Sequence, residues 1–382
     1  MPTSISSKRI AIIGAGPGGL TCARILHKHG VPVTVYDQDA HEEARNQGGS
    51  LDLHEYDGQL ALREAGLIEE FFELSRFEGQ EMRGIDPHSG QVLARHLPEE
   101  GEAGAPEIDR GQLRRLLLRS LTPGTVRWGH TLESVTGPDD GSRTLTFSNG
   151  VTVQADLVIG ADGAWSRTRR AVSQAVPVYS GVDFLEAWFD DMETRHTELA
   201  ELVGEGSAMA GDADGAIFAQ RNSGGHMRVY IVRRRPVDWM AQHGLTPQDT
   251  EGIRALLLKD FADWSPDVLR MITDNDGQYV DRPLFVLPAP HDWEHSATVT
   301  LLGDAAHLVP PVGVGVNVAM LDACELALAI RGSESIDEAI RAYETTMLPR
   351  SHKLALALDG RADYLLRDDD PEGMQDPSDL LR

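Results

Sequence analysis

The stretch "SKRIAIIGAGPGGLTCARIL" at residues 7–26 constrains the fold more than any other part of the chain. An apolar run, Ile10 to Ile13, enters a tight turn containing Gly14, Gly16 and Gly19, and an amphipathic helical pattern follows. Between a strand and a helix, G-x-G-x-x-G is a dinucleotide fingerprint. The first glycine permits the turn, the second lets the backbone approach a pyrophosphate, and the third lets helix and strand pack closely. The helix N-terminus then presents unpaired N–H groups and the positive end of its dipole to phosphate. A second strand, "VPVTVYD", ends in Asp37, 23 residues beyond Gly14, where such units bind a ribose hydroxyl. FAD and NAD(P) both satisfy this pattern.

The 382-residue chain is 41% hydrophobic and 25% charged, the make-up of a globular protein with sizeable cores, and its length suits two interleaved domains. Its 35 basic and 60 acidic residues leave a formal charge of -25, which repels nucleic acid and anionic membranes, so neither is an expected partner. No run approaches the roughly 18 apolar residues of a spanning helix, and the N-terminus lacks a secretory pattern. Cys22 and Cys324 both sit in apolar helical patterns and read as core residues in a reducing compartment. A cytoplasmic monomer is expected. No metal site is read: "GDADG" at 211–215 lacks the remaining ligands of a calcium loop and reads as a hairpin turn.

Two further strand ends are punctuated by glycine. "ADLVIGADGAWSRTRR" (155–170) places Asp162 and Gly163 in a tight turn. "VTLLGDAAHLVPPVGVGVNVAMLDA" (299–323) ends a strand at Gly303 and Asp304, then carries Pro311, Gly313, Gly315 and Asn317 before a helix. A simple NAD dehydrogenase uses the first motif only, so two more polar turns at strand ends suggest a longer cofactor. His307, just after the last motif, reads as a structural residue bonding back to the backbone.

In this order the three motifs resemble those of the class A flavoprotein aromatic hydroxylases, and the resemblance covers nearly the whole chain. Within that family "GGSLDLHEYDGQLALREAGL" (48–67), "PEIDRGQLRRLLLRSL" (106–121) and "GDAAHLVPPVGVGVN" (303–317) look like the tetracycline-inactivating flavin monooxygenases. The resemblance implies an α/β fold: a Rossmann-like FAD-binding domain (1–80, 101–174 and 286–340), an inserted β-sheet substrate domain (81–100 and 175–285) and a C-terminal helix (341–382) bridging the two. It implies FAD held by Gly14, Gly16, Gly19, Asp37, Asp52, Arg110, Asp162, Gly163, Gly303, Asp304, Gly315 and Asn317. NADPH (or NADH) would be the donor, assisted by Arg45. O2 would be activated as a C4a-hydroperoxyflavin that hydroxylates an aromatic or polycyclic small molecule, with no side chain acting as an essential acid or base. A flavin oxidase or dehydrogenase without oxygen insertion, and a non-catalytic flavin- or ligand-binding protein, are the alternatives.

Between 175 and 285 the pattern is of longer strands with few helices, and "DTEGIRALLLKDFADW" is a helical piece. In "DFLEAWFDD" Phe184, Glu186 and Trp188 share a face, and in "HMRVYIV" so do His226, Arg228 and Tyr230. If these faces meet over the flavin they form an aromatic-walled pocket with one acid–base pair; otherwise Glu186 and Arg228 are a cross-strand ion pair on a solvated sheet. The resemblance adds Met209, Phe218 and Pro311 to the substrate wall. It also exposes departures: Glu186 and Arg228 replace the family's glutamine and histidine, and Val312 replaces an aromatic. Tetracycline itself is therefore not the expected substrate.

Overall fold

A computed structural model describes residues 5–45, 48–98, 104–358 and Leu366. Strand β1 (Ile10–Ile13), helix α1 (Pro17–Lys28) and β2 (Val33–Tyr36) form the opening unit. Next come β3 (Ser50–Asp52), α2 (Gly58–Ala65), α3 (Ile68–Leu74), β4 (Met82–Ile85), β5 (Val92–His96), β6 (Glu107–Asp109) and α4 (Arg110–Arg119). Five strands follow: β7 (Val126–Arg127), β8 (Leu132–Thr136), β9 (Arg143–Phe147), β10 (Thr152–Ala155) and β11 (Leu157–Gly160). The insertion holds β12 (Val178–Phe189), α5 (Met192–Arg195), α6 (Thr197–Val203), β13 (Ser207–Gly211), β14 (Gly215–Asn222) and β15 (His226–Arg234). It continues through α7 (Trp239–Gln242), α8 (Thr250–Asp260), α9 (Pro266–Thr273) and β16 (Val280–Val286). The chain then returns through β17 (Val299–Leu301), α10 (Gly315–Gly332) and α11 (Ile336–Ala357).

The fold is α/β. A parallel sheet of order β17-β11-β1-β2-β7 carries all three glycine motifs at the C-terminal ends of adjacent strands β1, β11 and β17. Every residue of β1 is buried, because alternation sends its side chains into two cores. Ile10 and Ile12 pack with α1, α4 and α10, whereas Ala11 and Ile13 pack toward the small antiparallel sheet β10-β9-β8. Cys22 and Cys324 are buried on the helical side, and burial raises both thiols well above their usual range, Cys324 to about 12.

A second sheet, β16-β12-β15-β14-β13-β4-β5, belongs to the insertion, with residues 82–96 extending its edge. One face of it buries Leu185, Ala187, Phe189, Val229 and Ile231 against α6, α8 and α9. Each large side chain so buried contributes roughly 1.5–3 kcal/mol. Here the sequence reading falls short, since α6 and α9 are additional helices. Both are under nine residues, too short for a clear period, although Ser265 capping the Asp267 N–H with Pro266 at the first position is a start signal for α9. "GDADG" is a hairpin turn between β13 and β14, its Asp212 accepting from the N–H groups of Asp214 and Gly215. Beyond residue 358 the expected closing helix lies outside the described residues, except Leu366, which packs with Val182, Ala216 and Val232.

Candidate functional site

At the first motif, two glycines are fixed by crowding and one by open space. A Cβ on Gly14 (φ +108°) would lie 2.2 Å from the Ala161 carbonyl oxygen, and one on Gly19 2.1 Å from that of Gly14. Over Gly16 a Cβ would meet nothing within 4 Å, and Gly16 caps α1 with no side chain of its own. An open surface beside an uncapped helix N-terminus fits a pyrophosphate. Asp37 is buried at the end of β2, but its two oxygens accept from the Ala15 N–H (2.6 Å) and the Asp39 N–H (2.8 Å), so it braces the turn. Arg114, which the sequence reading passed over, bolts this corner together. It donates to the carbonyls of Ala15 and Glu42 and to Asp39, while its guanidinium lies 5.1 Å over Trp128. Arg45 also reaches Asp39, at 3.1 Å.

The middle and last motifs are strapped to each other. Asp162 uses both oxygens on Ser166, Arg167 and Thr168, holding the following turn, and Gly163 (φ +75°) faces open space. The buried Arg169 guanidinium donates to the carbonyls of Ala164, Asp304 and Ala305. Gly303 (φ +58°) packs against Ala319 of α10. Asp304 has a solvent-accessible side chain with no hydrogen bond or ion pair among the described residues. The protein mass around it is nevertheless that of an interior site, as on the wall of a cleft; this burial raises its carboxyl, against the pull of His307, Arg110 and Arg169. Arg110, exposed at the start of α4, likewise has no side-chain partner among the described residues.

One expectation is sharpened and one needs correction here. His307 is structural, and the chief partner of its ring is the fully buried Asp322, whose carboxylate meets Nε2 and also accepts from the Gly303 N–H and from Arg350. Burial opposes the imidazolium, but the Asp322 charge and hydrogen bond overcome it and raise the His307 pKa. An aspartate in the otherwise mostly apolar run "NVAMLDACELALAI" was the available signal for Asp322. Asn317, expected at the cofactor, is fully buried with its amide committed: Oδ1 accepts from the His54 N–H, and Nδ2 donates to the Asp52 and Gly313 carbonyls. It staples β3 to the start of α10, and Gly315, two residues earlier, faces open space. Asp52 itself pairs with His54 at 3.0 Å. Burial works against the His54 charge, yet the hydrogen bonds of Asp52 and Asp57 raise its pKa to about 10. Pro311 is exposed on the same loop.

The second face of the insertion sheet brings the remaining candidates together. Cross-strand partners are Glu186 with Tyr230, Trp188 with Arg228, Phe218 with Tyr230 and Met209 with Phe218. Phe184 and Phe218 flank Tyr230 at 6.1 and 6.4 Å, and Arg228 lies 5.6 Å over Trp188. Glu186 pairs with Arg228 at 3.2 Å and with Arg282, not foreseen from sequence, at 3.0 Å. This face is not a solvated one. Glu186 is 4% exposed, and Gly49, ahead of β3, lies so close that its Cβ would fall 2.8 Å from the Tyr230 hydroxyl and 3.1 Å from Gln220 Oε1. Gln220 also faces Glu107, a buried carboxyl hydrogen-bonded by Ser50. Burial, with the Asp52 charge behind it, raises Glu107 to about 7.

Gly16 and Gly163 thus leave open surface beyond the ends of the adjacent strands β1 and β11, and Gly315 does so at the start of α10; with Asp304 and Arg110, which have no side-chain partner among the described residues, they make a set that fits FAD. Residues 8–356 match the family described as FAD binding domain. The chain belongs to that family. As an FAD-binding-domain protein it resembles monooxygenase penA of Penicillium thymicola, 34% identical over 92% of this chain and 94% of the relative. The FAD-dependent urate hydroxylase of Mycolicibacterium vanbaalenii is 29% identical over 93% of this chain and 88% of the relative. In three dimensions the fold is similar to that of Klebsiella pneumoniae HpxO complexed with FAD and uric acid (TM-score 0.77, 23% identity, 94% of this chain and 90% of that one). It is also similar to tetracycline destructase Tet(51) (TM-score 0.70, 19% identity, 98% and 95%). The class A resemblance therefore holds, and FAD is the family's cofactor. Among the described residues no helix is long and apolar enough to cross a membrane.

Proposed function

We propose that the chain is an NAD(P)H-consuming monooxygenase that places one oxygen atom of O2 on an aromatic or polycyclic small molecule. In this reading Gly16, Gly163, Asp304, Arg110 and Gly315 line the cofactor cleft, Asp37 and Asn317 shape it from behind, and the insertion (81–100 and 175–285) is the substrate domain. When bound, FAD takes reducing equivalents from a nicotinamide and activates O2, chemistry that no side chain supplies. The chain's own work is to orient the substrate and exclude water.

The observation that carries this reading is the covered face of the insertion sheet. It offers aromatic walls from Phe184, Trp188, Phe218 and Tyr230 around a charge group in which Glu186 is buried and Arg282 reaches solvent. Glu186 is matched by two guanidinium groups, Arg228 and Arg282, so the group carries one net positive charge. That balance favours a substrate with an acidic or phenolate oxygen. The test is an absorption spectrum of the purified protein before and after NADPH or NADH without oxygen, followed by O2 uptake counted against hydroxylated product. Flavin bands that bleach, with one O2 consumed per product hydroxyl, are expected. Peroxide formation from every aromatic acid offered, with no oxygen insertion, would overturn the reading in favour of an oxidase.

A further inference from the structure

A group of unsatisfied polar atoms lies on the opposite face of the insertion sheet from the aromatic wall. Asp183 is 1% exposed, and neither of its oxygens accepts a hydrogen bond among the described residues; nor does Asp281 Oδ1. The register brings these acids together. Asp183 stands opposite Pro283 and Leu185 opposite Asp281, so the acids are diagonal neighbours on the buried face that carries Leu185 and Ala187. Two ionised carboxylates so placed repel each other and have no donor between them. One proton shared by the pair supplies that donor and satisfies the orphaned oxygens. Accordingly, burial first and Asp281 second hold the Asp183 carboxyl well above the usual carboxylate range. Arg235 and the Trp239 indole N–H lean the other way, but neither closes a hydrogen bond to it.

The charges packed against the pair balance only while that proton stays. Arg235, just after β15, lies 4.2 Å over Trp239 of α7, and none of its guanidinium nitrogens is hydrogen-bonded among the described residues. Arg233 of β15, the cross-strand partner of Asp183, is matched by Asp260 of α8 at 3.8 Å. Tyr179 donates its hydroxyl to the Arg235 carbonyl, and burial with the two aspartates raises its phenol to about 12. Arg235 therefore offsets a pair that keeps one proton. A fully ionised pair leaves a buried negative charge without a partner.

The pair also sits where its sheet is weakest. β16 is an edge strand, Pro283 has no N–H to give β12, and the ladder shifts register between Tyr179 and Asp183. Next to Asp281 comes Arg282, which emerges on the other face and pairs with Glu186 at 3.0 Å.

We propose that Asp183 and Asp281 share one proton as a clasp between β12 and β16, and that this clasp positions Arg282 against Glu186. The positioning half rests on the substrate-site reading of the preceding section; the clasp does not. The test uses FAD-loaded protein and compares the parent with Asp183→Asn, whose amide N–H donates to Asp281 at every pH. Asp281→Asn takes its place if that variant does not fold. The first readout is hydrogen exchange of the β16 amides. The clasped state keeps its proton to higher pH than an open one, so the clasp is strongest in acid and is lost as pH rises. Between about pH 5 and about pH 8, protection in the parent falls at least about tenfold relative to the variant. The second readout is benzoate binding by calorimetry from neutral pH upward, a range in which benzoate itself stays ionised. Its Kd rises several-fold in the parent and stays within about twofold in the variant. Equal protection of parent and variant across the range overturns the proposal. Protection that moves while benzoate affinity does not overturns the positioning half. Failure of the parent to bind benzoate at any pH is a different result: it removes the acidic-substrate reading, and the exchange data alone then decide the clasp.

Discussion

Glycines 14 and 16 stand two residues apart and are needed for opposite reasons. Gly14 combines a positive φ with a backbone carbonyl where its Cβ would be, so Gly14→Ala has to deform the β1–β11 junction and destabilises the apoprotein by several kcal/mol. Gly16→Ala meets only open space; it costs the apoprotein less than about 1 kcal/mol but obstructs the phosphate approach and weakens FAD binding. Thermal melts of both apoproteins beside their flavin content separate the two cases. Arg228→Ala leaves Glu186 with Arg282 as its remaining guanidinium; FAD content is retained while KM for an acidic aromatic substrate rises, which steady-state kinetics at fixed donor would show. Much of this was legible in the sequence, because glycine spacing and strand alternation are local. The partners of His307 and Asn317 were not. Asp322 lies on α10 and His54 before α2, and which of them a polar side chain meets is decided by how distant segments pack.

At the level of elements, the β3–β6 ribbon meets the insertion sheet through a buried, pH-sensitive contact. Glu107 of β6 takes its hydrogen bond from Ser50 of β3 and faces Gln220 of β14. Its folded pKa, raised to about 7, lies above that of an unfolded glutamate, so its contribution to stability is full below the unfolded value and is lost as pH rises through about 7. Between pH 5 and 8 the parent therefore loses about 2–3 kcal/mol that Glu107→Gln does not, as denaturant titrations of both proteins across that range would reveal. A flat difference would mean that the carboxyl is solvated. The strands of this region announced themselves by alternation over many residues. Helices α6 and α9, with two turns each, gave too few residues for a period to emerge.

On the scale of the whole molecule, the site proposed for FAD is assembled at the strand ends of one sheet from motifs far apart in the chain, so it exists in the folded state alone. Stripping FAD lowers the melting temperature, and restoring it at about a hundred times Kd returns about 2.7 kcal/mol, several degrees for a chain of this size. A scan of apoprotein with and without added FAD measures this, and a melting temperature indifferent to FAD would contradict the cleft assignment. The order of the three glycine motifs along the chain was readable from the sequence because each is local; how closely the two sheets approach was not, and that distance is governed at Gly49. With the Tyr230 hydroxyl and Gln220 where a β-carbon would stand, the two sheets fit only as a matched pair. An engineer who transplants a relative's insertion into this frame to change its appetite for substrates therefore has to choose the residues at 220, 228 and 230 together with whatever occupies position 49.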